Sequence, residues 1–215
     1  DVVGFYISGH PLNQFEVELE SFCKPVSDIK RYPNQDISIG GIVSGVRNGQ
    51  TKNGKPFAIL SIEDYNSSVE LFLMGEKYMN HAQYLRPGEF LFITGRVELN
   101  WRKKNEIRDN PHITPTPEDW ELQVAAISLL SELREKRAKG IKVSINARDV
   151  DQELIDTIMK LTKEHEGNTE LRIQLVEKSE NLSVELLSRK VKVDPHSNLI
   201  RTLKKYANSA SLITN

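Results

Sequence analysis

Alternating apolar and polar residues mark the middle of the chain as a series of β-strands. Along residues 57–63, Ala58, Leu60 and Ile62 share one side of an extended chain, while Phe57 and Ile59 share the other. The same alternation predicts further strands at 37–46, 68–73 and 89–98, a short helix at 76–85, and an apolar run at 120–130 that fits a strand bending into a helix.

The flanking segments carry helical patterns as well as strand patterns. Leu12, Phe15, Leu19 and Phe22 recur at spacings of three and four, which predicts a helix beginning at His10-Pro11. The C-terminal part alternates strands with helices. We predict strands at 141–145, 171–175, 182–186 and 190–193. A helix that ends at Gly167 is predicted to turn Leu154, Ile155, Ile158, Met159 and Leu161 inward. A final helix is predicted to turn Leu199, Ile200, Leu203 and Tyr206 inward.

Three strands, a helix and two more strands is the element order of the OB-fold, a small five-stranded β-barrel. Gly40-Gly41 supports this assignment, because closing so small a barrel requires sharply bent strands. A β-barrel of another topology stays open on the pattern alone. We therefore predict an α+β multidomain chain, with a helical connector at 1–36, an OB-fold domain at 37–133, a linker at 134–140 and a small C-terminal α+β domain at 141–215.

The composition is typical of a chain that folds in water without disulfides. Of the 215 residues, 38% are hydrophobic and 27% are charged, and no apolar stretch approaches the roughly 18 residues that a membrane helix needs. A single cysteine, Cys23, excludes a disulfide framework and favours a cytoplasmic location. Because the chain opens at Asp1 with neither a start methionine nor a signal-peptide pattern, we expect a piece of a longer protein.

Nothing in the sequence resembles a catalytic or metal-binding constellation. The five histidines are scattered without metal-ligand spacing, and no glycine-rich phosphate-binding motif is present. Glu63 and Asp64 are adjacent, but neighbours on a strand point to opposite faces and make poor acid–base partners. We expect no catalytic residue, no metal and no cofactor in these residues, and therefore a binding or scaffolding function.

Two short segments concentrate positive charge, although the formal net charge of the chain is -1. Residues 47–55 contain three cations and no acid, and residues 101–108 contain four cations and one acid. We predict both as the loops that an OB-fold places around its ligand groove, where single-stranded nucleic acid binds through phosphate contacts and base stacking. The predicted nucleic-acid-binding residues are Arg47, Lys52, Lys55, Phe57, Ile59, Phe72, Trp101, Arg102, Lys103, Lys104 and Arg108.

Two observations work against this prediction. Short basic loops are common, and most of them are only solvated. Glu70 is expected on the same face as Phe57 and Phe72, where its carboxylate would repel phosphate and weaken the affinity.

Residues 4–12, Gly-Phe-Tyr-Ile-Ser-Gly-His-Pro-Leu, resemble the G-x-Y-x-S-G-H-P-L signature of the bacterial replicative DNA polymerase III alpha-subunit family. Residues 55–64 and 69–72 are similar to two strands of that family's OB domain, and residues 145–148 and 193–199 are similar to parts of its C-terminal domain. The resemblance covers nearly the whole chain. The proline-rich stretch 111–121 is longer than the family's loop, which leaves the limits of the fifth strand open.

The resemblance implies a C-terminal fragment of a DNA-directed DNA polymerase, a nucleotidyltransferase whose catalytic palm lies outside these residues. It implies an OB domain that binds single-stranded template DNA and a C-terminal domain that contacts the tau subunit of the clamp loader. It also implies that the sliding clamp lies nearby, although no clamp-binding peptide is recognisable in this sequence.

Two alternatives stay open. One is a protein-interaction module without DNA contact, and the other is an anticodon-binding barrel like those of aminoacyl-tRNA synthetases, which the Ser8-Gly9-His10-Pro11 motif and the α+β tail disfavour.

Overall fold

The structure is a computed structural model that describes residues 9–177 and 179–213. The first part of the nine-residue signature, residues 4–8, lies outside the described residues. The chain divides into an N-terminal unit, residues 9–13 and 22–132, and a C-terminal unit, residues 14–21 and 133–213.

Six α-helices and nine β-strands are present in the described part of the chain. The helices are α1 (Glu16–Phe22), α2 (Glu76–His81), α3 (Trp101–Asp109), α4 (Leu130–Arg137), α5 (Gln152–Glu164) and α6 (Ser197–Leu203). The strands are β1 (Asp36–Gln50), β2 (Pro56–Glu63), β3 (Ser68–Met74), β4 (Phe90–Leu99), β5 (Trp120–Leu129), β6 (Gly140–Asn146), β7 (Glu166–Glu177), β8 (Leu182–Val193) and β9 (Ser209–Ile213). None of the helices described is long and apolar enough to cross a membrane.

The N-terminal unit is built on one antiparallel sheet with the strand order β3-β2-β1-β4-β5. This order, with α2 between β3 and β4, confirms the predicted OB-fold. The edge strands β3 and β5 approach each other, but their described residues form no hydrogen-bonded ladder, so the sheet is not closed into a barrel. Its inner face carries the core, which includes Ile39, Leu60, Leu71 and Ile93.

A glycine lets β1 bend across this sheet as predicted. A Cβ at Gly41 would lie 2.4 Å from the carbonyl oxygen of Glu63, a distance that no larger residue tolerates. Beyond it, the pairing of β1 with β2 shifts register between Val43 and Gly45, which is typical of a β-bulge. β1 therefore pairs with β4 through its first half and with β2 through its second half.

Two predictions about the N-terminal unit were wrong. The basic segment 101–108 is not a loop but helix α3, because Asn100 caps the helix: its Oδ1 accepts a hydrogen bond of 2.8 Å from the backbone N–H of Lys103. Arg47 does not lie in a loop either, since β1 continues to Gln50 and pairs Arg47 with Ile59. The hairpin turn is therefore shorter than predicted and spans 51–55.

The C-terminal unit contains a four-stranded sheet with the order β8-β7-β6-β9. β6 and β7 are parallel and are joined through α5, whereas β8 and β9 are antiparallel to their neighbours. Ile141, Val143, Leu171, Leu199 and Leu203 belong to the buried core. The predicted α+β architecture is confirmed, and β9 is an addition that the sequence analysis missed.

Four details of this unit differ from the prediction. Helix α5 ends at Glu164, and Gly167 lies inside β7, where a Cβ would come within 2.4 Å of the backbone nitrogen of Asp194. The two predicted strands at 182–186 and 190–193 are one strand, β8. Tyr206, predicted to point inward, is half-exposed. Ile155 and Met159 of α5 are also exposed rather than inward.

A buried ion pair holds α1 within the C-terminal unit. The Glu18 carboxylate is only 1% exposed and accepts a hydrogen bond from Nη2 of Arg134. The same Nη2 donates to Ser197 Oγ at 2.6 Å, and that hydroxyl donates to the carbonyl of Gln14. Because a buried carboxylate without a partner is costly, these contacts explain why residues 14–21 belong to this unit.

Candidate nucleic-acid interface

The outward side of β1, β2 and β3 presents a regular array of side chains opposite the core. Cross-strand pairing aligns Arg47 with Ile59 and Phe72, and it aligns Gly49 with Phe57 and Met74. We call this array the β1-β2-β3 face. Its members are Gly45, Arg47, Gly49, Phe57, Ile59, Ser61, Glu70, Phe72 and Met74.

The apolar members of the face form one continuous surface. The rings of Phe57 and Phe72 lie 5.4 Å apart between centroids with a tilt of 40°, and the side chain of Phe72 is 55% exposed. A Cβ at Gly49 would lie 2.6 Å from Cζ of Phe57, so this glycine leaves the space that the ring occupies over β1. Exposed aromatic rings on a sheet are the platform on which unpaired bases stack.

Met74 extends this surface and was missed by the sequence analysis. It is 42% exposed and pairs with Phe57 across the strands. The predicted third strand ended at Leu73, whereas β3 includes Met74. Continuing the alternation from Glu70 and Phe72 by one more step would have placed Met74 on the face.

The β1–β2 hairpin brings two lysines beside the apolar surface. Its turn is closed by a hydrogen bond of 2.9 Å from the N–H of Thr51 to the carbonyl of Lys55, and Gly54 adopts a φ of 74° that favours glycine. Lys52 and Lys55 are exposed, and their amines have no carboxylate partner among the described residues. Because Gln50 pairs with Pro56, this turn adjoins the end of the face that Phe57 and Met74 occupy.

Arg47 and Glu70 neutralise each other on the face. Nη2 of Arg47 donates a hydrogen bond of 2.6 Å to Oε1 of Glu70, and both side chains are more than half exposed. The carboxylate that was expected to repel phosphate is therefore bound to a predicted phosphate ligand. A phosphate at this position would have to replace Glu70 as the partner of Arg47.

Most of the cations of α3 are also paired. Nζ of Lys104 lies 2.6 Å from Oε2 of Glu98. Nζ of Lys103 lies 2.9 Å from Oε2 of Glu106 and 3.5 Å from Oδ2 of Asp119. Arg108 contacts its neighbour Asp109 at 3.3 Å. Arg102 has no carboxylate partner within the described ranges, and Trp101 in the first turn is 78% exposed.

Hydrogen bonds shift the pKa values of these paired groups in the direction that keeps each group charged. The bond from Lys104 lowers the pKa of Glu98 below its ordinary value. The pKa of Asp119 is lowered first by the backbone N–H of Thr116 and further by Lys103. The bond to Glu106 raises the pKa of Lys103. The acids therefore stay ionised, and the free positive charge near α3 is smaller than the residue count of 101–108 indicates.

The two basic segments lie at opposite ends of β1. The hairpin turn follows Gln50, the last residue of β1. Helix α3 follows β4, whose residue Arg96 pairs with Asp36 at the start of β1. The pairing thus brings Lys52, Lys55 and the apolar surface together, and it places the α3 cations at the other end of the strand.

Within the described ranges, the histidines and acids form no candidate metal site. Among residues 9–177 and 179–213, no three histidine, cysteine, aspartate or glutamate side chains are grouped so that they could hold a metal ion. Asp64 has a structural role, because its carboxylate accepts hydrogen bonds from the backbone N–H groups of Val26, Asn66 and Ser67.

Two family models match the two units. Residues 37–130 match a model described as an OB-fold nucleic acid binding domain. Residues 141–209 match the model of the DNA polymerase III alpha subunit, C-terminal domain. The resemblance to the DNA polymerase III alpha subunit is confirmed. The chain is similar to the C-terminal region of that subunit, with an OB-fold unit followed by the family's C-terminal domain.

Curated relatives agree with this assignment. The DNA polymerase III subunit alpha of Bacillus subtilis (strain 168) is 24% identical over 170 residues, which cover 79% of this chain and 14% of the relative. The subunit of Escherichia coli (strain K12) is 23% identical over 172 residues, with the same coverage. The matched region therefore spans about a seventh of the length of these alpha subunits.

Among solved structures, the second OB-fold domain of replication protein A from Methanococcus maripaludis is 17% identical. It covers 46% of this chain and 86% of its own, with a TM-score of 0.29. The OB-fold assignment therefore rests on the strand order and on the family model rather than on this overlap.

Proposed function

We propose that this chain is the non-catalytic C-terminal part of a replicative, cytoplasmic DNA polymerase, and that its N-terminal unit binds single-stranded template DNA. The β1-β2-β3 face is the observation that carries the proposal. It combines an aromatic pair, exposed Phe72 and half-buried Phe57, with two lysines, Lys52 and Lys55, that have no ion-pair partner in the part of the chain described here. Nucleotide transfer belongs to the catalytic region of the whole polymerase.

The face supports binding of single strands rather than duplexes. Bases that are free of pairing can stack on Phe57 and Phe72, while the adjacent phosphates contact the hairpin lysines. Ile59 and Met74 extend the flat apolar surface on either side of the rings. Because stacking is tolerant of base identity, we expect little sequence preference.

The remaining predicted residues make weaker contributions in this proposal. Arg47, Lys103, Lys104 and Arg108 must each exchange a carboxylate for a phosphate, which offsets much of the gain. Trp101 and Arg102 are exposed at the first turn of α3 and offer a second contact for a strand that continues past the face.

We propose that the C-terminal unit docks a replisome partner, the tau subunit of the clamp loader, with the sliding clamp nearby in the whole polymerase. The match of residues 141–209 to the C-terminal domain of the alpha subunit supports this assignment. Capture of purified tau subunit by the immobilised full chain tests it, and absence of capture at micromolar concentrations would contradict it.

The DNA-binding proposal is tested by fluorescence anisotropy of labelled oligo-dT with the full chain at low and moderate salt. Phosphate contacts release counterions, so the affinity should fall steeply as salt rises, by a slope of about 0.7 per contact in the log–log plot. Replacing Lys52, Lys55, Lys103 and Lys104 with alanine should flatten that slope. The matched control replaces four exposed cations outside the face and α3, Arg86, Lys160, Lys163 and Lys205.

An affinity that is independent of salt, or equal losses in the test and control variants, would contradict this proposal. The pairing of Arg47, Lys103, Lys104 and Arg108 favours one second candidate, a protein-interaction module that touches no DNA. That candidate predicts capture of the tau subunit with no measurable oligo-dT binding.

A further inference from the structure

Strand β8 forms one edge of the C-terminal sheet and is strongly apolar there. Its residues 182–187 pair with β7 on one side, and no described strand pairs with the other side. Leu182, Val184 and Leu186 lie on the same face of this edge and are each about half-exposed, at 52%, 49% and 49%. Long apolar edge strands are usually blunted by charge or covered, because their free backbone groups pair readily with another strand.

The apolar surface continues onto the helix that packs against this strand. Helix α5 contacts β8, and its Ile155 and Met159 are exposed at 41% and 61%. Both positions were predicted to be buried, so the helix carries more apolar surface than its own unit covers. We call the five residues Leu182, Val184, Leu186, Ile155 and Met159 the β8 edge patch.

A surplus of positive charge adjoins the β8 edge patch. The ladder with β7 is interrupted between Leu187 and Lys192, and this irregular stretch contains Arg189 and Lys190. Arg189, Lys190 and Lys192 have no carboxylate partner among the residues that the structure describes. The one acid of the strand, Glu185, is already occupied by Lys142 at 2.8 Å and Arg172 at 3.2 Å.

We propose that the free edge of β8 binds an extended peptide segment of a partner protein in which apolar residues alternate with acidic ones. The segment would add as a strand beside residues 182–187, with its apolar side chains on the β8 edge patch and its acids near Arg189, Lys190 and Lys192. Backbone hydrogen bonds supply affinity in this mode, and the alternating pattern supplies specificity.

This inference rests on the docking role proposed above for the C-terminal unit, but it can fail separately. If the tau subunit is captured equally by wild type and by β8 variants, the docking role stands and the β8 edge is not the site. If the tau subunit is not captured while the peptide binds as described below, the β8 edge is a binding site but the tau subunit is not its partner.

The test uses a fluorescein-labelled peptide of sequence EVELEVE and the full chain, with anisotropy as the readout. We expect saturable binding below about 1 mM, and binding about tenfold weaker for the peptide KVKLKVK, in which lysines replace the acids. A version of EVELEVE with N-methyl groups on alternate backbone nitrogens should also bind about tenfold more weakly, because it cannot complete a β-ladder.

Variants of the chain locate the contact. Arg189→Glu together with Lys190→Glu should reverse the preference between the two peptides, and Leu186→Thr should weaken both while keeping a residue that favours strands. The charge-matched control, Lys77→Glu with Arg86→Glu, reverses two exposed cations of the N-terminal unit and should change neither affinity.

Three results would overturn the inference: no binding up to about 1 mM, equal binding of the acidic and basic peptides, or equal binding of the N-methylated peptide. Sedimentation of the chain alone provides the remaining check. A dimer that Leu186→Thr dissociates would show that a second copy of this chain occupies the edge, and that result would also overturn the proposal.

Discussion

The hairpin turn 51–55 and helix α3 have similar basic sequences but different electrostatic surroundings. Lys52 and Lys55 project from the turn without carboxylate partners among the described residues. Lys103 and Lys104 of α3 lie within 3.5 Å of carboxylates, two of which come from outside the segment, Glu98 on β4 and Asp119 before β5. The hairpin lysines are therefore free to bind an anion, whereas those of α3 already have partners.

The difference shows that a count of charges within a sequence window does not measure the charge available to a ligand. Exposed ion pairs add little to stability, on the order of 0–1 kcal/mol each. They still compete with phosphate, because a cation must leave its carboxylate before it contacts DNA. The comparison therefore predicts that the hairpin end of the β1-β2-β3 face dominates binding.

Removing the exposed aromatic ring of the β1-β2-β3 face should have the largest effect. Stacking on an aromatic side chain is worth about 1–3 kcal/mol per base, so Phe72→Ala should weaken oligo-dT binding by roughly five- to 150-fold. Anisotropy at fixed salt measures this loss. Met159→Ala is the control, since Met159 is 61% exposed on α5 of the C-terminal unit and is not part of the face. Unchanged affinity in Phe72→Ala would show that the bases do not stack there.

Separating the two basic segments tests the comparison directly. Lys52→Ala with Lys55→Ala should lower the slope of log affinity against log salt by about 1.4, which corresponds to two lost phosphate contacts. Lys103→Ala with Lys104→Ala should change the affinity by less than about twofold, because those lysines are paired. Equal losses from the two double variants, measured by salt titration of oligo-dT binding, would show that the pairs of α3 open in the complex.

Removing the carboxylate partner of Arg47 should allow this arginine to contact phosphate as an unpaired cation does. Glu70→Gln removes the negative partner and keeps the size of the side chain, so the affinity for oligo-dT should rise by a few fold, and the salt slope should grow by about 0.7. Salt titration of this variant beside wild type checks both numbers. A weaker affinity would indicate that Glu70 positions Arg47 for the DNA rather than competing with it.

Local periodicity was sufficient to predict most of the fold. Ala58, Leu60 and Ile62 alternate with Phe57 and Ile59 because one side of β2 is buried and the other is not, so the strand and its faces followed from the sequence. The outward position of Phe72 followed in the same way. Helix α3 was missed because its signal is a single capping residue, Asn100, before a run with little apolar periodicity.

Which cations of the candidate site are paired with carboxylates depends on contacts between residues that are distant in sequence. Arg47 meets Glu70 only because β1 and β3 flank β2, and Lys103 meets Asp119 only because β4 and β5 are paired. The exposure of Ile155 and Met159 likewise depends on where β8 ends the sheet. Periodicity identifies which residues share a face, but it does not identify which charges neutralise one another.

The smallest effect we expect concerns the acids that hold the cations of α3. Glu98 owes its lowered pKa first to Lys104, whereas Asp119 owes its lowered pKa first to the backbone N–H of Thr116. Lys104→Ala should therefore raise the pKa of Glu98 more than Lys103→Ala raises the pKa of Asp119. NMR titration of the two carboxyl carbons measures both shifts, and a larger response of Asp119 would contradict the assigned causes.

The same titration determines the pH range over which Glu98 and Asp119 stay paired with Lys104 and Lys103 of α3. A carboxyl group whose folded pKa is depressed stabilises the fold above its unfolded pKa, roughly 4, and that contribution is lost as the pH falls through the folded value. The pairs of Lys103 and Lys104 should thus persist at neutral pH and open only in acid below the ordinary carboxylate range. The contribution of these two lysines to oligo-dT binding, taken as the difference between wild type and the Lys103→Ala, Lys104→Ala variant, should therefore stay small and constant from neutral pH down to about 5. A contribution that changes within that range would mean that the pairs are weaker in solution than their geometry indicates, and the contrast between the hairpin and α3 would disappear.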